Sequence, residues 1–297
     1  MQKKNNLKLG KPLITIGITS FNSRRTITRA VNSALKQFWR PIEIIIVDDF
    51  SNDGAYELIK NMQKDFSEIK VFRNNNNEGV AFSRNKIIQN AKGEFLVFFD
   101  DDDESLPNRI DEQYSRIIDY ENHFAKHKIV ICHCARNIYY QGGAIIYENT
   151  IGDNRLIKAP NGLEVAKRII FGKPVKNCYG SLATCSQMSR LENYKNVGGF
   201  DELFKRSEDT ELNIRFAKNG AHFVGINKVL VKQFMTKTND KKFKNEIFYF
   251  KQLIKKHKKL ITKKQFNFAN KWLDLKYLYF QGKFLKLIKL IIYCFLK

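Results

Sequence analysis

Over the first hundred residues, short continuous apolar runs alternate with stretches whose apolar residues recur at helical spacing. This pattern commits a chain to βαβ units and so to a parallel sheet covered on both faces. Leu13 to Thr19 reads as the first buried strand, and Ile27, Ala30, Val31, Ala34 and Leu35 follow at helical spacing. Ile42 to Val47 is a second strand, Ala55 to Met62 a helix, Ile69 to Phe72 a short third strand, Gly79 to Ala91 a helix and Phe95 to Phe99 a fourth strand. This is a doubly wound opening. Past Pro107 a helical stretch runs to about His123 and Ile129 to Cys134 returns as strand, whereas Tyr139 to Pro160 carries little signal beyond its loop-forming glycines. Helical patterns resume over Leu163 to Phe171 and Glu208 to Lys218, followed by two strand-like stretches, Phe223 to Ile226 and Val229 to Phe234.

Ligands of a parallel sheet collect beyond the carboxyl ends of its strands, and three of those ends are loaded with polar residues. They are Thr19-Ser20-Phe21-Asn22, the run Asp48-Asp49-Phe50-Ser51-Asn52-Asp53, and Asp100-Asp101-Asp102-Asp103-Glu104. Five consecutive acids behind a buried strand repel one another, and a cation or dense hydrogen bonding must offset that repulsion. A hard divalent ion that keeps open positions for phosphate oxygens, Mg²⁺ or Mn²⁺, is the simplest solution. A solvated acidic loop is the plain alternative, while a calcium loop of the EF-hand kind lacks its glycine and closing glutamate. A nicotinamide-dependent enzyme is disfavoured because no G-x-G-x-x-G follows the first strand.

The formal charge is +22, and residues 241–297 hold sixteen lysines against Glu246 and Asp274, so most of the excess lies in the last fifth of the chain. That tail has no arginine, which disfavours nucleic acid as the partner. Its apolar residues fall in three helical stretches: Ile247, Phe250, Leu253 and Ile254, then Trp272, Leu275, Leu278 and Tyr279, then Phe284, Leu287, Ile288, Ile291 and Ile292. None is long enough to span a bilayer. A lysine-rich amphipathic helix suits an anionic membrane surface, and a helical cap packed on the main domain fits the same pattern. Five cysteines without a C-x-x-C pair, behind an N-terminus with no apolar signal segment, are expected in a reducing cytoplasm. Cys132-His133-Cys134 would place its two thiols on one face of a strand and the imidazole on the other, which reads as core packing, and His222 reads as structural.

Six segments in order resemble the family 2 glycosyltransferases with the GT-A fold: Ile18 to Asn22, Ile46 to Asp53, Gly79 to Asn85, Phe99 to Asp103, Val197 to Glu202 and Ser207 to Leu212. The resemblance covers roughly residues 12 to 235. It implies an α/β, Rossmann-like, mostly parallel sheet flanked by helices, a nucleotide-sugar donor, inverting transfer, and a divalent metal at a D-x-D motif. By that resemblance Asp100 and Asp102 are the acids of the motif, with Asp102 the direct metal ligand and Asp101 and Asp103 beside it. Thr19 and Phe21 line the base, where the family commonly has tyrosine in place of Phe21, with Asn22, Asp48 and Ser51 nearby. Asp49 reads the uracil edge, Arg84 lies beside the nucleotide, Asp209 is the catalytic base and Glu208 adjoins it.

The chemistry agrees with these roles. Departure of a nucleoside diphosphate builds charge on its β-phosphate, which a Lewis acid stabilises. A carboxylate can take the proton of the attacking hydroxyl, although Asp209 at a helix start could equally serve as a cap or dipole partner. The expected organisation is a transferase domain over residues 1–240 and a lysine-rich helical extension over 241–297. The expected setting is the cytoplasmic face of a bacterial inner membrane, with a glycan or lipid-linked acceptor. A non-catalytic nucleotide- or glycan-binding module on the same fold is the alternative.

Overall fold

The structure, a computed structural model, describes residues 10–125, 128–172, 175–177, 179–236 and 243–295. The N-terminal stretch and the 240/241 boundary discussed above lie outside these residues. In chain order the elements are β1 (Ile14–Ser20), α1 (Ile27–Leu35), β2 (Ile42–Asp48), α2 (Ala55–Asp65), β3 (Ile69–Arg73), α3 (Val80–Asn90), β4 (Phe95–Asp100) and β5 (Glu104–Ser105). There follow α4 (Arg109–His123), β6 (Val130–Tyr139), β7 (Ile145–Glu148), α5 (Leu163–Phe171), β8 (Gln187–Arg190), α6 (Leu191–Asn196), α7 (Glu208–Lys218) and β9 (His222–Phe234). The tail forms α8 (Phe243–Lys256), α9 (Lys263–Phe280) and α10 (Phe284–Phe295).

The sheet runs β3-β2-β1-β4-β8-β6-β9-β5, with β7 paired to β6. The first four strands are parallel, β8 enters antiparallel between β4 and β6, and β6 and β9 are parallel again. β5 follows β4 closely in sequence yet pairs with β9 at the far end of the sheet. The sheet must therefore curl until its far edge meets the end of β4, and this curl is what gathers the site. Two expected strands, Phe223 to Ile226 and Val229 to Phe234, are one strand, β9, whose register against β6 shifts around Ala135. The break in the apolar pattern at Asn227 and Lys228 thus marks a β-bulge, not a chain reversal. In the weakly patterned stretch, β7 exposes Ile145, Ile146 and Tyr147, so no alternation of buried and exposed positions betrays it.

Alternate side chains of the strands feed two cores. Ile14, Ile16, Ile18, Ile44 and Ile46 pack on one face, and Ile45, Val47, Leu96 and Phe98 on the other. Gly17 lets α3 lie close to β1, because a Cβ there would stand 2.7 Å from Ile87 Cγ2. The second core also takes Ile247, Leu253, Ile254, Ala269 and Leu273 from α8 and α9. A fully buried leucine such as Leu253 contributes roughly 1.5–3 kcal/mol, so this part of the tail is fastened to the α/β body by ordinary burial.

Candidate active site

At the carboxyl end of β1, Thr19 stands in register between Val47 of β2 and Asp100 of β4. The loops that follow these strands fasten to one another. Asn22 N–H donates to Ser51 Oγ at 2.9 Å, Asn52 N–H donates to Asn22 Oδ1 at 3.0 Å, and Phe21 N–H donates to Asp101 Oδ2 at 3.1 Å. Asp48 is fully buried, accepting from Ser51 N–H and paired with Arg73 Nε at 3.2 Å. Asp49 accepts from Asn74 Nδ2 and from the backbone N–H groups of Glu78 and Gly79 at 2.8–2.9 Å. Both carboxylates therefore shape the loops beyond β2 and β3. The surfaces left open are aromatic: Phe21 and Phe50 are 48% and 49% exposed. Phe50 adopts φ +64°, a conformation that costs a non-glycine residue energy and that the crowded loop imposes. Arg73 lies over the Phe50 ring at 5.4 Å.

The acidic run is pinned from several directions. Arg109, itself buried, donates to Phe98 O and Ser105 Oγ beneath it. Arg29 donates to Asp102 O, Thr236 Oγ1 donates to Asp102 Oδ2 at 2.9 Å, and Phe234 N–H donates to Asp103 Oδ1 at 3.0 Å. The last two bonds come from the end of β9, delivered by the curl of the sheet. Glu104 leaves the cluster and pairs with Lys232 across β5 and β9 at 3.1 Å. Ligand atoms of Asp100, Asp103 and Cys185 lie within 4.8 Å of one another. Burial and the neighbouring aspartates push Asp101 up to about 7 and Asp103 well above the usual carboxylate range. Asp103 Oδ2 is buried with no hydrogen-bond partner. Carboxyls so crowded hold more negative charge than the fold neutralises, which fits a divalent cation at this point.

Arg84 is buried between two acids, 2.7 Å from Glu208 Oε1 and 3.4 Å from Asp100 Oδ1. The guanidinium that the resemblance sets beside the nucleotide thus couples the end of β4 to the start of α7. Burial and then the charge of Asp209 push Glu208 upward, against the opposing pull of Arg84. Glu208 is enclosed, whereas Asp209, the next residue, lines two open clefts of about 400 and 430 Å³. The carboxylate of Asp209 accepts from its neighbour Thr210, backbone N–H and hydroxyl, in the first turn of α7. It therefore interacts favourably with the helix dipole. Asn85 bonds both to Phe200 N–H and to Phe200 O, and so holds the Gly198-Gly199-Phe200 turn against α3. A Cβ on Gly199, at φ +67°, would reach 2.4 Å from Asn85 Oδ1.

Cys132, His133 and Cys134 are buried, with both thiols free and His133 Nε2 3.1 Å from Gln187 Nε2. Burial lowers His133 to about 3, so it stays neutral in the core. His222 bonds Tyr120 through Nδ1 at 2.9 Å and is lowered by burial to about 4. These groups are structural, as their strand positions imply.

Residues 15–183, more than half of the chain, match the family model described as Glycosyl transferase family 2. The chain belongs to glycosyltransferase family 2. Among relatives, EpsE of Bacillus subtilis is 24% identical over 224 residues, 74% of this chain and 72% of its own length. The Escherichia coli UDP-Glc:alpha-D-GlcNAc-diphosphoundecaprenol beta-1,3-glucosyltransferase WfaP is 41% identical over 101 residues, spanning 34% of this chain and 39% of that protein. In fold, the chain is similar to S. aureus TarS 1-349 in complex with UDP-GlcNAc, at TM-score 0.61 and 17% identity, over 90% of this chain and 73% of that one. The GT-A architecture of the family 2 enzymes is thus the architecture of this chain.

Several residues that the fold brings to this candidate site leave little trace in the sequence. Cys185 reaches the acids from a short 3₁₀ turn, Thr184–Ser186, in a stretch with no readable periodicity. Arg136 and Arg168 line the second cleft from β6 and α5. Phe50 left a usable signal, a large apolar residue set in a polar loop after a buried strand.

Proposed function

We propose that the chain is an inverting glycosyltransferase that moves a hexosyl or N-acetylhexosaminyl group from a UDP-sugar to a hydroxyl of a glycan or lipid-linked acceptor in cell-surface polysaccharide biosynthesis of the lipopolysaccharide type. The observation that carries this reading is the position of Asp209. Its carboxylate opens on two clefts while its neighbour Glu208 is tied through Arg84 to Asp100, the first acid of the D-x-D motif. The relative WfaP, with a UDP-Glc donor and a diphosphoundecaprenol-linked acceptor, supports the substrate classes.

In this reading the exposed rings of Phe21 and Phe50 stack on the nucleotide base, with Thr19, Asn22 and Ser51 forming the floor. Asp48 and Asp49 hold the two loops in shape, and Asp49 faces the uracil edge as the resemblance implies. Asp209 takes the proton of the acceptor hydroxyl as its oxygen bonds to the anomeric carbon and the bond to the nucleoside diphosphate breaks. Attack on the face opposite the leaving group inverts that carbon, and Arg84 and Glu208 keep Asp209 in register with the donor. Asp102 and Asp100, with Asp101 and Asp103 adjoining, would hold Mn²⁺ or Mg²⁺. When bound, the ion supplies Lewis-acid stabilisation of the charge that develops on the departing phosphate.

Residues 241–297 form a lysine-rich helical extension whose last helix, α10, sets the enzyme on the cytoplasmic face of a bacterial plasma membrane. Among the described residues no helix is long and apolar enough to cross a bilayer. Lysines and exposed apolar residues on α10 instead fit the interface of an anionic membrane.

A panel of UDP-sugars with Mn²⁺ and a lipid-linked acceptor tests the reaction. Asp209→Asn is expected to lower kcat by about a thousandfold, the usual size of a general-base contribution, with UDP affinity unchanged. Asp102→Ala should abolish the strengthening of UDP binding by Mn²⁺ in calorimetry. If neither Mn²⁺ nor Mg²⁺ strengthens UDP binding by the unaltered protein, the assignment of the donor site fails.

A further inference from the structure

The cleft of about 400 Å³ at Asp209 is walled by α5, the start of α7, α8 and α9, and its character differs from that of its neighbour. The second cleft, which shares Asp209, is lined by Arg136, Arg168, Ser181 and Thr210 and suits a sugar. The first is faced by Ile169, Phe250, Phe268 and Trp272, with Arg206 and Lys276 among them. Phe268 and Trp272 are 63% and 58% exposed, a costly display of aromatic surface inside a concave site of ligand size.

An apolar stripe leads away from this cleft. Phe268, Trp272 and Tyr279 lie along one face of α9, with Lys276 between the last two. The Tyr279 ring meets that of Phe284, the first residue of α10, edge-on at 6.2 Å. The stripe thus runs from the reacting end of the molecule to the helix that carries the exposed Leu285, Ile288 and Ile292.

The cleft also holds a place for an anion close to Asp209. Arg206 Nε is buried without a hydrogen-bond partner. Nη2 of Arg206 faces Glu246 Oε1 at 3.7 Å, across a half-exposed pair of the kind that adds little stability. A diphosphate bonding the guanidinium through two oxygens would displace that pair.

Resting on the transferase reading above, we propose that this cleft receives the phosphate-bearing end of a prenyl-diphosphate-linked acceptor. The sugar reaches Asp209, the diphosphate lies at Arg206, and the first isoprenoid units cover Phe268 and Trp272. The remainder of the lipid follows the stripe along α9 to α10. The apolar lining suits the hydrocarbon, and the Arg206 guanidinium suits the phosphates.

The chain has two tryptophans, and Trp39 is buried against Tyr114, so Trp272 reports on the cleft by its fluorescence. Farnesyl diphosphate added to the full chain should shift Trp272 emission to the blue in a saturable way. Inorganic pyrophosphate should give no shift, and the neutral amphiphile dodecyl maltoside below its micellar concentration only a weak one. Phe268→Ser and Arg206→Gln, both at partly or largely exposed positions, should each weaken farnesyl diphosphate binding by about tenfold, the equivalent of one good apolar contact or charged hydrogen bond. An unsaturable response, or the same affinity in both variants, or equal binding of the maltoside, overturns the assignment. UDP binding with Mn²⁺, measured on the same samples, separates the two ideas. Intact UDP binding beside a failed prenyl response removes the lipid cleft alone, whereas loss of UDP binding removes the transferase reading beneath it.

Discussion

Two parts of one lysine-rich tail behave in opposite ways. α8 and α9 bury Ile247, Leu253, Ile254, Ala269 and Leu273 in the core, and several of their cations are paired. Lys251 meets Asp274 at 2.5 Å, and Lys256 reaches Asp201 and Glu211 at 2.6 and 2.5 Å. α10 has the same mixture of lysine and large apolar residues, yet among its residues with described side chains none is buried. Amphipathic periodicity states only that a helix has an apolar face. Whether that face is satisfied inside the molecule or offered outside depends on a complementary surface elsewhere in the fold.

The largest expected effect distinguishes the two parts directly. Leu253→Ala should cost about 3 kcal/mol in denaturant titration, as cavity-forming leucine truncations do, whereas Leu285→Ala, at a position 80% exposed, should stay within about 0.5 kcal/mol. Similar losses at both sites would erase the distinction.

Glu211 sharpens it. This fully buried carboxylate of α7 accepts from Arg215, from Lys256 and from His257 Nε2, the last two at the end of α8. Burial alone would raise its pKa, but the bonds from His257, Arg215 and Lys256 prevail and hold it at about 2, against an ordinary 4.5. A carboxylate depressed in the folded state stabilises above its unfolded pKa, and that stability is lost as pH falls through the folded value. Glu211→Gln should therefore cost about 2–3 kcal/mol at neutral pH, somewhat below the loss from breaking a buried pair because the amide keeps some bonds. The gap between variant and unaltered protein should close between pH 4.5 and about 2 in acid titrations of stability.

The smallest effect on the fold belongs to removal of residues 283–297. Melting temperature and UDP affinity should be nearly unchanged, while partition onto anionic vesicles falls by about tenfold or more. Unchanged vesicle binding would show that α10 is no anchor.

Much of the α/β half was legible in the sequence because buried parallel strands are continuous apolar runs and their helices repeat at 3.6 residues. The acids after β4 stood out for the same local reason, a polar cluster at the edge of an apolar element, whereas the Glu208-Asp209 pair stood out through the resemblance to the family. The partners of those residues did not. Nothing near Arg84 in the chain foretells that it joins Asp100 to Glu208, and nothing near Cys185 foretells the acids beside it. β7 and β8 were missed because one is exposed on both sides and the other is too short to show a period.

Sequence by itself determined the class of fold, the succession of its first four strands along the chain, the family and the acids set at the strand ends, since each depends on residues adjacent along the chain. Only the tertiary structure decided that Asp209 opens on two unlike clefts, that the end of β9 clasps Asp102 and Asp103, and that α8 packs while α10 does not. These outcomes depend on the curl of the sheet, which brings together groups more than a hundred residues apart, and contacts at that separation leave no periodic trace in sequence.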